Sequence, residues 1–421
     1  MSSVRVRLIT RDDSLKVDDS PLYVPVDLKR YGLSEVVNQL LSTETPIPFD
    51  FVIDGKLLRS SLDKYLTEQG LSTESVLTVE YVRSVLPPTF VSSFAHDDWV
   101  SSVDINDASQ KIVTGSYDGV VRLWDFSGNV TDQLAGHTGA VKSIQWVSDS
   151  HLVSAGADRN LCLWKLGDEK AKIACIFQGH TGPVNSTCTL ASGKIISGSS
   201  DGTLKVWSTR VKELPEAPEA PTSTFTSTKK RRKLAEQALI SQRVRGSLAT
   251  LEGHTAPVTG LAAHSSDANV VYSVSEDHTL RTWDLVTDRL IDTKATAFSL
   301  LSVANMGPTT SLIACGSSAR HISLIDPRTK TTTSQAQLIG HRNFVVDLAV
   351  SPNNPYMLAS ASHDGTTRLW DVRANKSMYT VARNAKEDND VYCVAWKSVL
   401  AAGGKDKKLE ITQVPNSELA A

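Results

Sequence analysis

The stretch Ile195–Ser208, "IISGSSDGTLKVWS", places Asp201 four residues after Ser197 and Trp207 six residues after that. The same offsets recur in Ile112–Asp125, Leu152–Lys165, Val270–Asp284 and Met357–Asp371. They give the sets Thr114/Asp118/Trp124, Ser154/Asp158/Trp164, Ser273/Asp277/Trp283 and Ser360/Asp364/Trp370. A histidine stands 21 to 23 residues before each aspartate, at His96, His137, His180, His254 and His341, and four of the five follow a glycine. Two weaker copies complete the series. Leu312–Arg328 has Ile325 at the tryptophan place, and Val399–Val414 has Asp406 with Ile411 taken as the tryptophan equivalent. Successive tryptophan or equivalent positions are 40, 43, 76, 42, 45 and 41 residues apart. A fixed period of this length is the mark of a repeat architecture.

Five full signatures at fixed offsets resemble the WD-repeat family, whose fold is a β-propeller of four-stranded blades. Seven copies imply seven blades, so the chain is expected to be mainly β. The last copy ends soon after its third strand, near Val414, and "TFVSSFA", Thr89–Ala95, is expected to supply the missing fourth strand. Such closure removes the open strand edges that invite aggregation. The fifth and seventh copies lack the full polar set and are expected to rely more on apolar contacts. A recurring His, Ser and Asp could suggest hydrolysis. The resemblance implies instead that these groups and the indole form a buried hydrogen-bond chain within each blade, and a repeat needs one such network per blade. Gly198, Ser200 and Gly202 match G-x-S-x-G, but they fall in a turn between antiparallel strands rather than at a strand-to-helix elbow. No catalysis is expected.

Hydrophobic content of 40% and charged content of 21% are ordinary globular values. Net charge is −2, from 44 basic and 46 acidic residues, so no global field advertises nucleic acid or a membrane. Cys162, Cys175, Cys188, Cys315 and Cys393 include no C-x-x-C pair, which argues against a zinc site and fits buried thiols. The first residues carry no apolar signal region and no 18-residue apolar run occurs, so neither secretion nor membrane spanning is expected.

The 76-residue interval from Trp207 to Trp283 puts about 33 extra residues into the third blade. Residues 210–246 open with Pro, Glu, Ala, Ser and Thr, a composition expected to be disordered. The basic run Lys229, Lys230, Arg231, Arg232 and Lys233 follows, either a solvated loop or a nuclear localisation signal; an RNA contact is a further reading.

Residues 1–84 change pattern. Two alternating stretches precede "GLSEVVNQLLS", whose apolar residues Leu33, Val36, Val37, Leu40 and Leu41 have helical spacing. A hairpin turning at Asp54-Gly55, a short helix and the strand "SVLTVEYV" close the segment. This order resembles the ubiquitin-like grasp, a small α+β domain joined to residues 89–415 by a short linker at 85–88. In that fold the last strand is central. Leu77, Val79 and Tyr81 then face the core, while Thr78, Glu80 and Val82 face outward. Position alone leaves two roles for Glu80: a cross-strand ion pair with Arg5 or Arg7, or an exposed ligand for a partner.

An NLE-type ubiquitin-like domain followed by seven WD-repeat blades, with a basic insertion in the third, resembles the YTM family over nearly the whole chain. The resemblance implies a non-catalytic assembly factor of the large (60S) ribosomal subunit and its rRNA processing, found in nucleus, nucleolus and nucleoplasm. The implied partners are the pre-60S particle, pescadillo, the block-of-proliferation protein (joined propeller to propeller) and the AAA ATPase midasin. Midasin's metal-dependent adhesion domain would grip the ubiquitin-like domain, and Glu80 matches the acidic residue that completes coordination of its Mg²⁺. No cofactor of this chain's own is implied. A notchless-like factor, with an additional blade, and a ubiquitin-ligase or chromatin adaptor are the competing readings.

Overall fold

The computed structural model describes residues 3–42, 46–72, 76–84, 86–167, 171–217, 244–329, 336–374, 376–383 and 389–415. Its contacts divide the chain into two compact units. One is built on Met1–Thr89, the other on Phe90–Leu369 with Thr380–Thr412.

In the first unit, β1 (Ser3–Ile9), β2 (Leu22–Pro25), α1 (Arg30–Leu41), β3 (Phe49–Ile53), β4 (Lys56–Leu57), α2 (Leu62–Gln69) and β5 (Val76–Arg83) follow in chain order. The sheet order is β2-β1-β5-β3-β4, with β5 parallel to β1 and antiparallel to β3. This is the ubiquitin-like grasp, and its last strand is central. β1 alternates strictly, burying Val4, Val6 and Leu8 against Leu33 and Val37 of α1. Asp54 and Gly55 both take positive φ, at 50° and 72°, the backbone that a tight hairpin requires. Asn38 clamps the end of α1 to the chain entering β3 by exchanging hydrogen bonds with Ile47 (2.8 and 2.9 Å).

The second unit holds seven sheets among the described residues. The first begins with strands Val100–Asn106, Lys111–Ser116, Val120–Asp125 and Val130–Ala135, each hydrogen-bonded to the one before. The first strand of every sheet packs on the first strand of the next, and the seventh returns to the first, which closes a propeller. β6 (Thr89–Ala95) lies beside Lys408–Gln413 and completes the seventh blade, as the repeat count anticipates.

Within blade 3, His180 Nδ1 lies 2.9 Å from Asp201, His180 Nε2 lies 2.7 Å from Ser197 Oγ, and the Trp207 indole N–H donates to the same Oγ at 2.8 Å. An indole can only donate, so Ser197 Oγ accepts there and has its own proton available for Nε2. A neutral imidazole then keeps its N–H on the Asp201 carboxylate. Burial also holds the His180 and His254 pKa values below the ordinary one. Burial opposes ionisation of Asp201, but the bonds from His180 and Thr203 outweigh it and hold this pKa low. His137/Asp158/Ser154/Trp164 and His254/Asp277/Ser273/Trp283 repeat the geometry. In blade 6, His341 bridges Asp364 and Ser360, and Trp370 is fully buried.

Trp164 of blade 2 keeps the expected bond but not the packing that an equal signature suggests. Its indole N–H donates to Ser154 Oγ at 2.8 Å. Trp124 and Trp207 stack on the rings of Phe94 and Phe177, at 5.3 and 5.2 Å. Trp164 packs instead on aliphatic Ile173, which it pairs with after a register shift, and on Gly136. A Cβ at Gly136 would stand 2.7 Å from this indole, so the glycine before His137 is needed for close approach. Burial lowers the His137 pKa, but its neighbours, the Asp158 carboxylate first, outweigh it and raise the value to about 10.

Three blades depart from the predicted polar set. In blade 1, His96 and Trp124 share Thr114 (both 2.9 Å), but Asp118 does not join them. His96 follows β6 without the usual glycine, and its Nδ1 turns to the Phe94 carbonyl at 3.2 Å. Asp118 pairs instead with the buried Arg122 at 2.7 Å, which also holds Asp97. Blade 5 is apolar as expected, with buried Cys315 and Ile325 at the serine and tryptophan places.

Blade 7 is not apolar at this point. Arg383 occupies the histidine place, 23 residues before Asp406, and pairs with that aspartate; it also donates to the carbonyl of Ala402, the serine equivalent. The tryptophan equivalent there is Thr412, which pairs with Leu400 as Trp207 pairs with Ile195. Ile411, one residue earlier, points to the other side of the strand.

The inner strands are tied across blades by side chains that accept backbone N–H groups: Asp104 from Trp146 (2.8 Å), Gln145 from Thr189 (2.9 Å), Asp347 from Val394 (2.8 Å). Burial raises Asp104 to about 6 and Asp347 to about 7, against the pull of those bonds.

The insertion is ordered at both ends, so the disorder expected for 210–246 does not reach its margins. Val211–Glu213 form a 3₁₀ turn, Leu214 is buried beside Phe177 and Trp207, and Glu216 bridges Arg245. Val244–Arg245 then add a short parallel strand to Ile176–Phe177, the outer strand of blade 2. The run Lys229–Lys233 lies outside the described residues.

Arg383 neutralises Asp406 where both side chains are largely removed from water (2% and 15% exposed). Removing one partner of such a pair costs about 3–5 kcal/mol, because the other charge stays buried. Arg383→Met should therefore lower the urea midpoint of the full chain, and adding Asp406→Leu should restore much of it. An unchanged midpoint in the single variant would show that Asp406 does not depend on Arg383.

Candidate functional site

Glu80 sits in the second half of β5, a strand fixed on both edges by backbone pairing. The parallel register sets it opposite Ile9 of β1, and the antiparallel register sets it opposite Val52 of β3. Leu77, Val79 and Tyr81 face the core, as alternation predicts. Glu80 lies on the opposite face, but its side chain is only 13% exposed. Val82, expected to face outward, is buried as well.

The ion-pair partner is also not the expected one. Arg5 donates to the Tyr23 hydroxyl at 2.6 Å and Arg7 donates to Asp19 at 2.8 Å. In the parallel register these arginines face Val76 and Thr78, two and one alternate positions short of Glu80. The partner is Arg11, just past the end of β1, whose Nε lies 3.0 Å from Glu80 Oε1. Glu80 Oε1 is buried yet has no hydrogen-bond partner of good geometry. The contact is an ion pair between a half-exposed guanidinium and a largely buried carboxylate. Arg11 is 56% exposed, so water can stabilise it when it swings away.

The loop carrying Arg11 is fastened to β5 from the core side. The Tyr81 hydroxyl donates to the Leu15 carbonyl at 2.6 Å and accepts from the Val17 N–H at 3.1 Å. Asp12 caps the 3₁₀ turn Asp13–Leu15 through the Ser14 N–H and approaches Arg83 at 3.7 Å. Glu80 is therefore a preoriented carboxylate on a rigid central strand, with one cation as a removable cover. A hard divalent ion takes oxygen ligands of this kind. Among the described residues no group of three His, Cys, Asp or Glu could hold an ion by itself. A metal at Glu80 would have its other ligands elsewhere. Trp164, Trp207 and Trp283 each donate to the serine of their own blade and are buried. They hold strands together and present nothing to a ligand.

The architecture defines a two-part protein, a ubiquitin-like domain followed by a seven-bladed WD-repeat propeller. Residues 4–66 match the NLE (NUC135) domain, a span that ends before Glu80. Residues 88–125, 128–165, 171–208, 245–284 and 332–371 match the WD domain, G-beta repeat; these are the blades with full signatures. The chain is 49% identical over 450 residues to the ribosome biogenesis protein YTM1 of Candida glabrata, covering 99% of this chain and 98% of that one. It is 45% identical to the protein of that name in Saccharomyces cerevisiae (99% and 98% covered) and in Candida albicans (98% and 97%). The chain belongs to the YTM1 family of ribosome biogenesis proteins.

Sequence reasoning missed Arg11 and Arg383. Arg383 had a signal, the ordinary histidine-to-aspartate spacing; Arg11 had none short of the strand register.

Removing Glu80 leaves no charge buried, because its partner Arg11 is 56% exposed and is hydrated in its place. Glu80→Ala should therefore leave the melting curve of the full chain nearly unchanged. A large drop would make Glu80 a structural residue.

Proposed function

We propose that this chain, a ribosome assembly factor by its family and a scaffold by its WD-repeat propeller, acts without catalysis in assembly of the large (60S) subunit and its rRNA processing, in nucleus, nucleolus and nucleoplasm. The propeller joins the block-of-proliferation protein, propeller to propeller, and through that complex pescadillo and the pre-60S particle. The ubiquitin-like domain is the handle by which midasin, through its metal-dependent adhesion domain, removes the factor.

The observation that carries the reading is Glu80. Its carboxylate has an oxygen without a directional bond, on a strand held on both edges, covered by a cation that can leave. The Mg²⁺ belongs to the partner and would supply the electrostatic attraction that Arg11 supplies in the free chain. Glu80 contributes one hard ligand and fixed orientation, and ordering a single rigid ligand costs little entropy. Lys229–Lys233 are proposed as the nuclear import signal, supported by a five-residue basic run within a long insertion.

Glu80→Ala should abolish Mg²⁺-dependent binding to purified midasin adhesion domain, measured by interferometry with and without EDTA, while binding to the block-of-proliferation protein persists. Unchanged midasin affinity would remove Glu80 from the mechanism. Replacing Lys229–Lys233 by alanines should shift a fluorescent fusion toward the cytoplasm, and unaltered nuclear accumulation would overturn the import reading.

A further inference from the structure

Each blade offers two equivalent positions on one face of the propeller. One lies in the loop entering the inner strand, the other in the turn after the second strand, and the turn N–H donates to the loop carbonyl. Blades 2 to 5 fill the pair with Ala140/Ala157, Pro183/Ser200, Pro257/Glu276 and Ser299/Ser318, at 2.8 to 3.1 Å. Blades 6, 7 and 1 carry Phe344/His363, Asp390/Lys405 and Trp99/Tyr117 on the same bond. The backbone geometry is common to all seven, so the fold does not require large side chains here. Yet blades 6 and 1 fill them with aromatic rings, and blade 7 between them adds Tyr392 on its inner strand.

The rings meet. Trp99 lies 5.3 Å from Tyr117 and 5.9 Å from Tyr392, the second residue of the seventh inner strand. Tyr392 is 5.4 Å from His363, which is 6.1 Å from Phe344. Phe344 is 42% exposed and the other four are half-buried. Two amines border the cluster. Lys142 Nζ stands 4.3 Å above the Tyr117 ring and donates to its hydroxyl at 2.9 Å, and Lys405 Nζ lies 6.0 Å from the Trp99 ring. Neither lysine has a carboxylate partner among the described residues, whereas Asp97 and Asp118 at the rim are both held by Arg122.

We propose that this aromatic sector of blades 6, 7 and 1 is a docking surface for a protein segment presenting an aromatic or aliphatic anchor beside a carboxylate. Clustered Trp and Tyr are the side chains that concentrate binding energy at protein interfaces. A cationic ligand is disfavoured, because the faces of Tyr117 and Trp99 already carry ammonium groups. Those ammoniums keep free donors for an incoming carboxylate. A nucleic acid strand fits less well, since its backbone needs a continuous basic track and Asp390 interrupts this one. The proposal is independent of Glu80 and of midasin.

The test pans a random-peptide phage library on the immobilised full-length chain, after depletion on the Lys142→Glu/Lys405→Glu variant. Peptides pairing an aromatic or leucine with a neighbouring Asp or Glu should be enriched. A synthetic copy should bind the double variant about tenfold more weakly, with the melting curve unchanged. Tyr392→Ala should weaken it comparably; if that variant loses its fold, the surface lysines carry the test. Enrichment of basic peptides, or none dependent on the lysines, would overturn the proposal. So would tight binding of a fluorescent oligouridine that the double variant abolishes, which would make the surface an RNA site.

Discussion

The buried hydroxyl of Ser154, Ser197 and Ser273 is the point on which each of those blades depends. It accepts from an indole and donates to an imidazole, and through the imidazole it fixes a carboxylate two turns of chain away. A strand can slip its register by one residue only by moving its side chains to the opposite face. The shared hydroxyl forbids that slip, because tryptophan and histidine come from different strands and must meet at one atom. Leaving any member unpaired in the interior would cost about 1–3 kcal/mol. Blades that lack the hub need another device, and the chain uses two: apolar packing around Cys315 and Ile325, and the Arg383–Asp406 pair.

Closure adds a second constraint. The seventh blade borrows β6, and β6 continues directly from the linker that leaves the ubiquitin-like domain. The chain leaving the N-terminal domain enters the propeller at this strand. It meets a hydrogen-bonded ladder with Lys408–Gln413, backed by His96, whose N–H donates to the Lys407 carbonyl and whose ring is tied to Thr114 in blade 1. His96 thus connects the closing strand to the following blade, and without a carboxylate partner it is pushed down to about 4 by burial.

The fold was legible because its rule is a spacing. Ser197, Asp201 and Trp207 hold fixed offsets, and the same offsets found five blades and their histidines. The offsets give the bond and not the packing around it, which is why Trp164 meets Ile173 where Trp207 meets a phenyl ring. Where the anchors fade, the reading drifts: with neither Ser nor Trp in the last copy, Ile411 was taken for Thr412. The central position of β5 and the facing of Glu80 followed from order and alternation. Its partner did not, because alternation gives the face of a strand but not its alignment with a neighbour. Only the register of β1 against β5 shows that Arg5 and Arg7 stop short and that Arg11, beyond the strand, arrives.

The two surfaces of functional interest are both local violations of a rule the rest of the chain obeys. A charged residue is tolerated in the middle of β5 although β-branched and aromatic residues suit such positions better. Phe344, His363, Trp99 and Tyr117 occupy positions where the five other blades manage with smaller or polar residues. Natural sequences keep local and global preferences consistent, and departures concentrate where function compensates for them. The same test separates Asp118 from these cases. It too breaks the repeat, but Arg122 and the missing glycine before His96 account for it within the blade. Glu80 has only the half-exposed Arg11 as its partner and the aromatic sector has no counterpart in the other blades, and on these departures the two proposed binding roles rest.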